Sequence, residues 1–244
     1  MKRRMYNLRS DKPFSYGKVP YTSTEGLEET RKAFLNAIAS LDIDVSKLFI
    51  NVTDGGSSAM EIMMLGVCGP GSVRPIMLLD PSYTNYLQFS KRLNIPVINT
   101  DRKLNDSGKF DPLDISDISR MIDLHRPTAL VIIPYDNPTG QFLNQNTINK
   151  IASICVNNGV WMVSDEAYRP MVFKSEEPSS IWKIPKNIIP ENLHLRISIE
   201  SASKVWNACG LRVGGIITDN REFHQKSVSE YTANLCANNI GQYI

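Results

Sequence analysis

Lys204 stands in Ser201-Ala202-Ser203-Lys204, among small and hydroxylic side chains, with Gly210-Leu211-Arg212-Val213-Gly214 close behind it. A solvated lysine is the usual occupant of such a turn. A lysine amine that loses its proton readily can instead form a Schiff base with a carbonyl cofactor. The fixed, planar charge of Arg212 is suited to a phosphate. Asp165 directly follows Val160-Trp161-Met162-Val163-Ser164, which puts an acid at the end of an apolar run. A buried carboxylate must be paired or protonated, so Asp165 reads either as a structural cap or ion pair, or as a group with work to do in a crevice. Tyr168, a little further on, can bring a phenol to the same crevice.

Two further loops invite the same question. Gly55-Gly56-Ser57 falls between an apolar run and an amphipathic one. Glycines let the backbone approach an anion, and the free N–H groups of a first helical turn favour phosphate. The plain alternative is a glycine turn capped by Ser57. No Gly-Lys-Ser/Thr follows, so it is not a nucleotide-binding phosphate loop of that kind. Asn137-Pro138-Thr139-Gly140 has the residues of a turn, and its Asn can equally present an amide into a crevice.

The elements that must position these residues alternate. Candidate strands are Leu48–Val52, Pro75–Leu79, Pro96–Asn99, Ala129–Ile133, Val160–Val163, Leu193–Ile199 and Val213–Thr218. Helical patterns cover Leu27–Leu41, Ser57–Val67, Tyr86–Leu93, Ile115–Leu124, Asn146–Asn157 and Arg221–Asn238. Such alternation predicts βαβ units, hence a three-layer α/β/α fold with a mainly parallel, seven-stranded sheet. Ligands of such folds sit in the loops at the carboxyl ends of the strands. Asp54–Ser57, Asp80–Tyr83, Asp136–Gly140, Ser164–Tyr168 and Ser201–Lys204 all fall there, which points to one shared site.

Composition narrows the classes. The 27 Lys and Arg nearly balance the 25 Asp and Glu, so charge gives no reason to expect a nucleic-acid or membrane partner. No apolar h-region follows the basic start Met1-Lys2-Arg3-Arg4, and no run is long enough to span a bilayer. Cys68, Cys155, Cys209 and Cys236 are widely spaced, and with three scattered histidines they make no metal-ligand pattern. The expectation is separate thiols in a reducing cytoplasm and no metal.

Taken in order, Tyr21-Thr-Ser-Thr-Glu-Gly26, Asp54-Gly-Gly-Ser57, Pro81-Ser-Tyr-Thr-Asn-Tyr86, Asn137-Pro-Thr-Gly140, Ser164-Asp-Glu-Ala-Tyr168 and Ser201–Arg212 resemble the class I/II aminotransferases of fold type I, enzymes that use pyridoxal 5'-phosphate (PLP). The resemblance implies a domain boundary near residue 48. It divides an N-terminal segment and helix (1–47) from a PLP-binding large domain (48–244), whose last strand is antiparallel. It implies that Lys204 bonds the cofactor and shuttles a proton, and that Asp165 pairs with the pyridine nitrogen. Asn137 and Tyr168 would hydrogen-bond the ring oxygen, and Tyr83 would stack on the ring. Gly56, Ser57, Ser201 and Arg212 would hold the phosphate, with Tyr21 reaching the phosphate of a neighbouring subunit in a homodimer. Lys204, Asp165 and Tyr168 are then the catalytic set.

The implied reaction transfers an amino group between an amino acid and a 2-oxo acid. A lyase or decarboxylase on the same scaffold would share Lys204, Asp165 and Arg212. A non-catalytic PLP-binding regulatory module is a third reading, although no DNA-binding segment precedes Tyr21. The resemblance also implies a smaller C-terminal domain that clamps the substrate carboxylate with an arginine. The sequence ends at Ile244, so the expectation is a cofactor site with an incomplete substrate site.

Overall fold

The computed structural model describes residues 13–14, 17–171, 177–190 and 192–244. The basic start, Met1 to Arg4, lies outside the described residues. Seven strands, β1 (Phe49–Thr53), β2 (Ile76–Asp80), β3 (Val97–Asp101), β4 (Ala129–Ile132), β5 (Trp161–Asp165), β6 (Arg196–Ser201) and β7 (Gly214–Thr218), form a sheet in the order β1-β7-β6-β5-β4-β2-β3. The chain divides into two compact units, the described residues of Met1–Ile62 with Ile199–Ile244, and Met63–Ser198.

In the Met63–Ser198 unit, β3, β2, β4 and β5 pair in parallel, with Ile76 opposite both Val97 and Ala129, and Ile132 opposite Ser164. Helix α3 (Thr84–Leu93) links β2 to β3, α4 (Ile115–His125) links β3 to β4, and α5 (Gln145–Asn158) links β4 to β5. The step from β2 to β3 runs one way along the sheet; the next two run the other way. Right-handed crossovers in opposite directions place their helices on opposite faces, so α4 and α5, which pack on each other, share one face and α3 takes the other. This gives the α/β/α layering. All four residues of β4 are buried, as its unbroken apolar run requires. The direction of the connections along the sheet reverses between the parallel strands β2 and β4, and the loops at their carboxyl ends flank the crevice of a topological switch point.

Local chemistry sets the helix ends. Asp114 accepts from the N–H groups of Ser116 and Asp117 at the start of α4, and Asn144 accepts from Thr147 N–H at the start of α5. Each such cap contributes about 1 kcal/mol. Helix α5 stops at Gly159, which takes the left-handed conformation (φ 62°) that glycine adopts without a Cβ penalty.

In the other unit, β1 and β7 are antiparallel, from Phe49 opposite Thr218 to Thr53 opposite Gly214. Helix α1 (Glu28–Ala39) buries Phe34 and Ile38, and α6 (Arg221–Tyr231) buries Phe223 and Tyr231. Helix α2 (Gly55–Val67) begins directly after β1. The helix expected over Arg221–Asn238 ends early, at Tyr231. The chain then makes one 3-10 turn, Thr232–Asn234, and passes through Leu235 at φ 67°. Asn238 starts the short helix α7 (Asn239–Tyr243) by accepting from Gly241 N–H. Residues 232–235 are exposed, so no apolar face rewards continuing the helix. The strand expected from Leu193 begins only at Arg196 and continues to Ser201.

Candidate functional site

Beside β1 the geometry is that of an anion cradle built from backbone. Gly55 opens α2 at φ +71°, and a Cβ on it would lie 2.4 Å from Arg212 Nη2 and 2.8 Å from Arg212 Cζ. Gly214 is equally tight: its Cβ would lie 2.5 Å from Gly55 C and 2.6 Å from Gly56 N. Arg212 leaves a 3-10 turn, Cys209–Leu211, in the left-handed conformation. Its Nη1 donates to Cys209 O at 2.9 Å and its Nη2 to Asp54 O at 3.2 Å. The guanidinium thus lies against the first residues of α2, whose leading N–H groups have no intrahelical acceptor. Gly56 and Ser57 stand in that first turn. A Cβ on Gly56 would meet Ile199 Cγ2 at 3.5 Å and Ser201 Cβ at 3.6 Å, ordinary contact distances. Sequence reading singled out Gly56, but the steric demand falls on Gly55 and Gly214. The Gly-Gly pair signalled the former; Gly210-x-x-x-Gly214 signalled the latter only as part of the Arg212 segment.

Asp54 anchors this turn from behind. Its carboxylate accepts from Tyr231 Oη at 2.9 Å and from Asn238 N–H at 2.9 Å, while its own N–H donates to Tyr231 Oη at 2.9 Å. Burial, then the Asp54 charge, pushes the Tyr231 phenol well above its ordinary range, so it stays a donor.

Lys204 is exposed in a turn closed by backbone hydrogen bonds: Ala202 N–H to Val213 O (3.0 Å), Asn207 N–H to Lys204 O (3.2 Å) and Ala208 N–H to Ala202 O (3.3 Å). Ser201 Oγ accepts from Ser203 N–H at 3.1 Å. The structure therefore brings together Gly55, Gly56, Ser201 and Arg212 in one unit, with Lys204 a short turn away. Tyr21 belongs to the same unit and is 76% exposed.

In the Met63–Ser198 unit, Asp165 ends β5 and is 5% exposed. Its Oδ2 accepts from Tyr86 Oη at 3.0 Å and its Oδ1 from Ala167 N–H at 3.2 Å. Tyr86 is fully buried on α3, and burial, with the Asp165 charge next, raises its phenol well above the usual range. A proton that cannot leave makes Tyr86 a fixed donor to the carboxylate. The ring of Tyr83 meets that of Tyr86 edge-on, with centroids 6.4 Å apart. Tyr86 enters the sequence pattern only as the end of the Pro81–Tyr86 segment; nothing local signals its role, because an α3 residue reaches Asp165 only across the fold. Tyr168 is half-buried after β5. Neighbouring Glu166 is fully buried, pairing with Arg169 and accepting from Ser180 Oγ (2.8 Å) and Ile181 N–H (2.7 Å). Asn137 lies in the turn after β4, closed by Gly140 N–H to Asp136 O at 2.9 Å; the Asn137–Pro138 peptide is cis.

Solved structures define the class of fold. A tyrosine aminotransferase from Leishmania infantum superposes with a TM-score of 0.82 at 21% identity, covering 99% of this chain and 64% of that one. A PLP-bound putative aminotransferase from Clostridium difficile 630 gives 0.77 at 17% identity, over 99% and 58%. The sequence model for aminotransferase class I and II matches residues 19–239, and the chain belongs to that family. An aspartate aminotransferase of Sulfurisphaera tokodaii is 25% identical over 226 residues, 92% of this chain and 53% of that protein. The chain spans about half the length of the curated relatives it matches. Among the described residues, no helix is long and apolar enough to cross a membrane, and no cluster of side chains could hold a metal ion.

Proposed function

We propose that this chain is the cofactor-binding part of a PLP-dependent aminotransferase, which moves an amino group between an amino acid and a 2-oxo acid. The observation that carries this reading is the cradle at Gly55 and Arg212. The hydrogen bonds among the described residues engage Nη1 and Nη2 once each, so two of the five guanidinium N–H donors are used and the others fit a phosphate. The residues present therefore fit the group.

When bound, PLP supplies an aldehyde for a lysine amine and a ring that accepts electrons from the substrate carbon. Gly56, Ser57, Ser201 and Arg212 hold the phosphate. Lys204 would hold the aldehyde through its Nζ, and the same amine is the group that would carry a proton to and from the reacting carbon. Asp165 keeps a proton on the pyridine nitrogen, with Tyr86 fixing the carboxylate. Asn137 and Tyr168 donate to the ring oxygen, and Tyr83 packs on the ring face. Tyr21, so largely exposed, reaches the phosphate of a second copy in a homodimer. The large domain is the stretch from residue 48 onward. All four cysteines are free, and burial pushes the Cys68 thiol up to about 11 and the Cys155 thiol up to about 12. Unbridged thiols, two of them held protonated by burial, suit the cytoplasm.

The test is to add PLP to the purified protein and follow visible absorbance, with borohydride reduction and mass analysis of the Lys204 peptide. A visible band that Lys204→Ala abolishes is expected. An intact protein that forms no band overturns the reading. Product analysis with amino acids and 2-oxo acids separates transfer from elimination or decarboxylation.

A further inference from the structure

Arg102 follows β3 and is 6% exposed, and nothing in the motif pattern marks it. Its Nη1 pairs with Asp136 Oδ2 at 2.8 Å, with both side chains almost wholly buried (2% and 4% exposed), and also donates to Thr139 Oγ1 at 3.3 Å. Its Nη2 donates to Leu79 O at 3.0 Å and to Pro81 O; its Nε donates to Asp80 O at 3.3 Å. All five N–H donors of one guanidinium are thus engaged. Three go to consecutive carbonyls at the end of β2 and the first residue after it, Leu79, Asp80 and Pro81, just before Ser82 and Tyr83. Two go to the loop after β4, on either side of Asn137. Asp136 is fixed in turn, because Oδ2 also accepts from Thr139 N–H at 3.1 Å and from Thr139 Oγ1. Those two loops flank the switch point between β2 and β4.

We infer that Arg102, with Asp136, is a positioning residue: one buried clasp that sets the spacing of Tyr83 and Asn137, the ring-face and ring-oxygen contacts of the cofactor reading on which this inference rests. The β2–β3 ladder ends at Asp80 opposite Asp101, and the turn after β4 is closed on itself by the Tyr135–Phe142 bridge, so no backbone ladder joins the one loop to the other. A planar fork bonded to both converts two independent loops into one rigid wall. Lysine cannot replace it, having three donors from a single point rather than five in a plane.

The test compares Arg102→Met/Asp136→Asn, Arg102→Lys and the unaltered protein. The double variant removes both charges together, which leaves no unpaired buried ion, so it retains a cooperative unfolding transition. It is expected to show faster hydrogen exchange at the amides of Ser82, Tyr83, Asn137 and Thr139, with exchange at Gly56 and Ser57 unchanged. Its dissociation constant for PLP is expected to rise at least about tenfold, since small misplacements of positioning groups are costly. Arg102→Lys should rescue neither. Unchanged exchange in the two loops, unchanged PLP affinity, or full rescue by lysine overturns the inference. If the unaltered protein forms no visible band with PLP, the cofactor reading fails instead, and loop exchange alone decides whether Arg102 clasps the two loops.

Discussion

At the turn from β1 into α2, position is set by space: Gly55, Gly56 and Gly214 bring backbone and the Arg212 guanidinium so close that a methyl on Gly214 has nowhere to go and one on Gly55 must displace the guanidinium. Around Asp165 and the loops after β2 and β4, position is set by charge: Tyr86 on Asp165, Arg102 on Asp136 and Arg169 on Glu166 are all buried pairs. The first kind of site is made by leaving side chains out, the second by bringing them in from distant elements. The two should fail differently. Crowding the cradle strains the native backbone, whereas deleting one partner near Asp165 breaks a buried pair.

The largest expected effect belongs to the charged region. Glu166→Gln breaks the buried pair with Arg169, and a loss of about 3–5 kcal/mol in urea unfolding is expected. Glu166→Gln/Arg169→Met should lose much less, because both charges of the pair leave together. A double variant as unstable as the single would mean that the bonds from Ser180 and Ile181, not the ion pair, hold this segment. Next is the cradle: Gly214→Ala sets a methyl against Gly55 C, Gly56 N and Glu200 O, with an expected cost of about 3 kcal/mol. All three neighbours are backbone atoms, so no rotamer change relieves it. An unchanged unfolding midpoint would show that the turn is looser than its spacing.

This contrast also explains what could be read from sequence. The strands Ala129–Ile132 and Gly214–Thr218 and the helix Ile115–His125 fall close to their expected bounds, because apolar periodicity and a capping Asp114 are local signals. The cradle was half legible: a Gly-Gly-Ser run announces a close approach of backbone, but not which glycine is squeezed, since that depends on where Arg212 arrives. Arg102 and Tyr86 were illegible as organisers, because each acts through a partner far along the chain. The helix expected to run to Asn238 failed for the same reason. It ends at Tyr231, and both Tyr231 Oη and the Asn238 N–H beyond it turn to Asp54, far back along the chain.

A smaller effect tests the charged region without stranding an ion. Tyr86→Phe keeps the ring and its contact with Tyr83 but removes the donor to Asp165. The expected loss is about 1.5–3 kcal/mol, the range for a hydrogen bond to a charged group. PLP affinity should fall as well, because the carboxylate loses the donor to its Oδ2. Loss of stability with full PLP affinity would confine Tyr86 to packing.

The smallest effect sharpens the cradle. At Gly56 an added methyl would rest at 3.5–3.9 Å from Ile199, Ser201 and Glu200, so Gly56→Ala should leave stability within about 0.5 kcal/mol, any strain being offset by the better helix propensity of alanine. PLP affinity should also stay near that of the unaltered protein, since the methyl points toward β6. Measured beside Gly55→Ala, whose methyl meets Arg212 at 2.4 Å and whose backbone sits at φ +71°, the pair separates two ways a glycine can serve an anion. If Gly56→Ala is stable but loses PLP, the phosphate needs the open space at the Gly56 Cα as well as its backbone N–H.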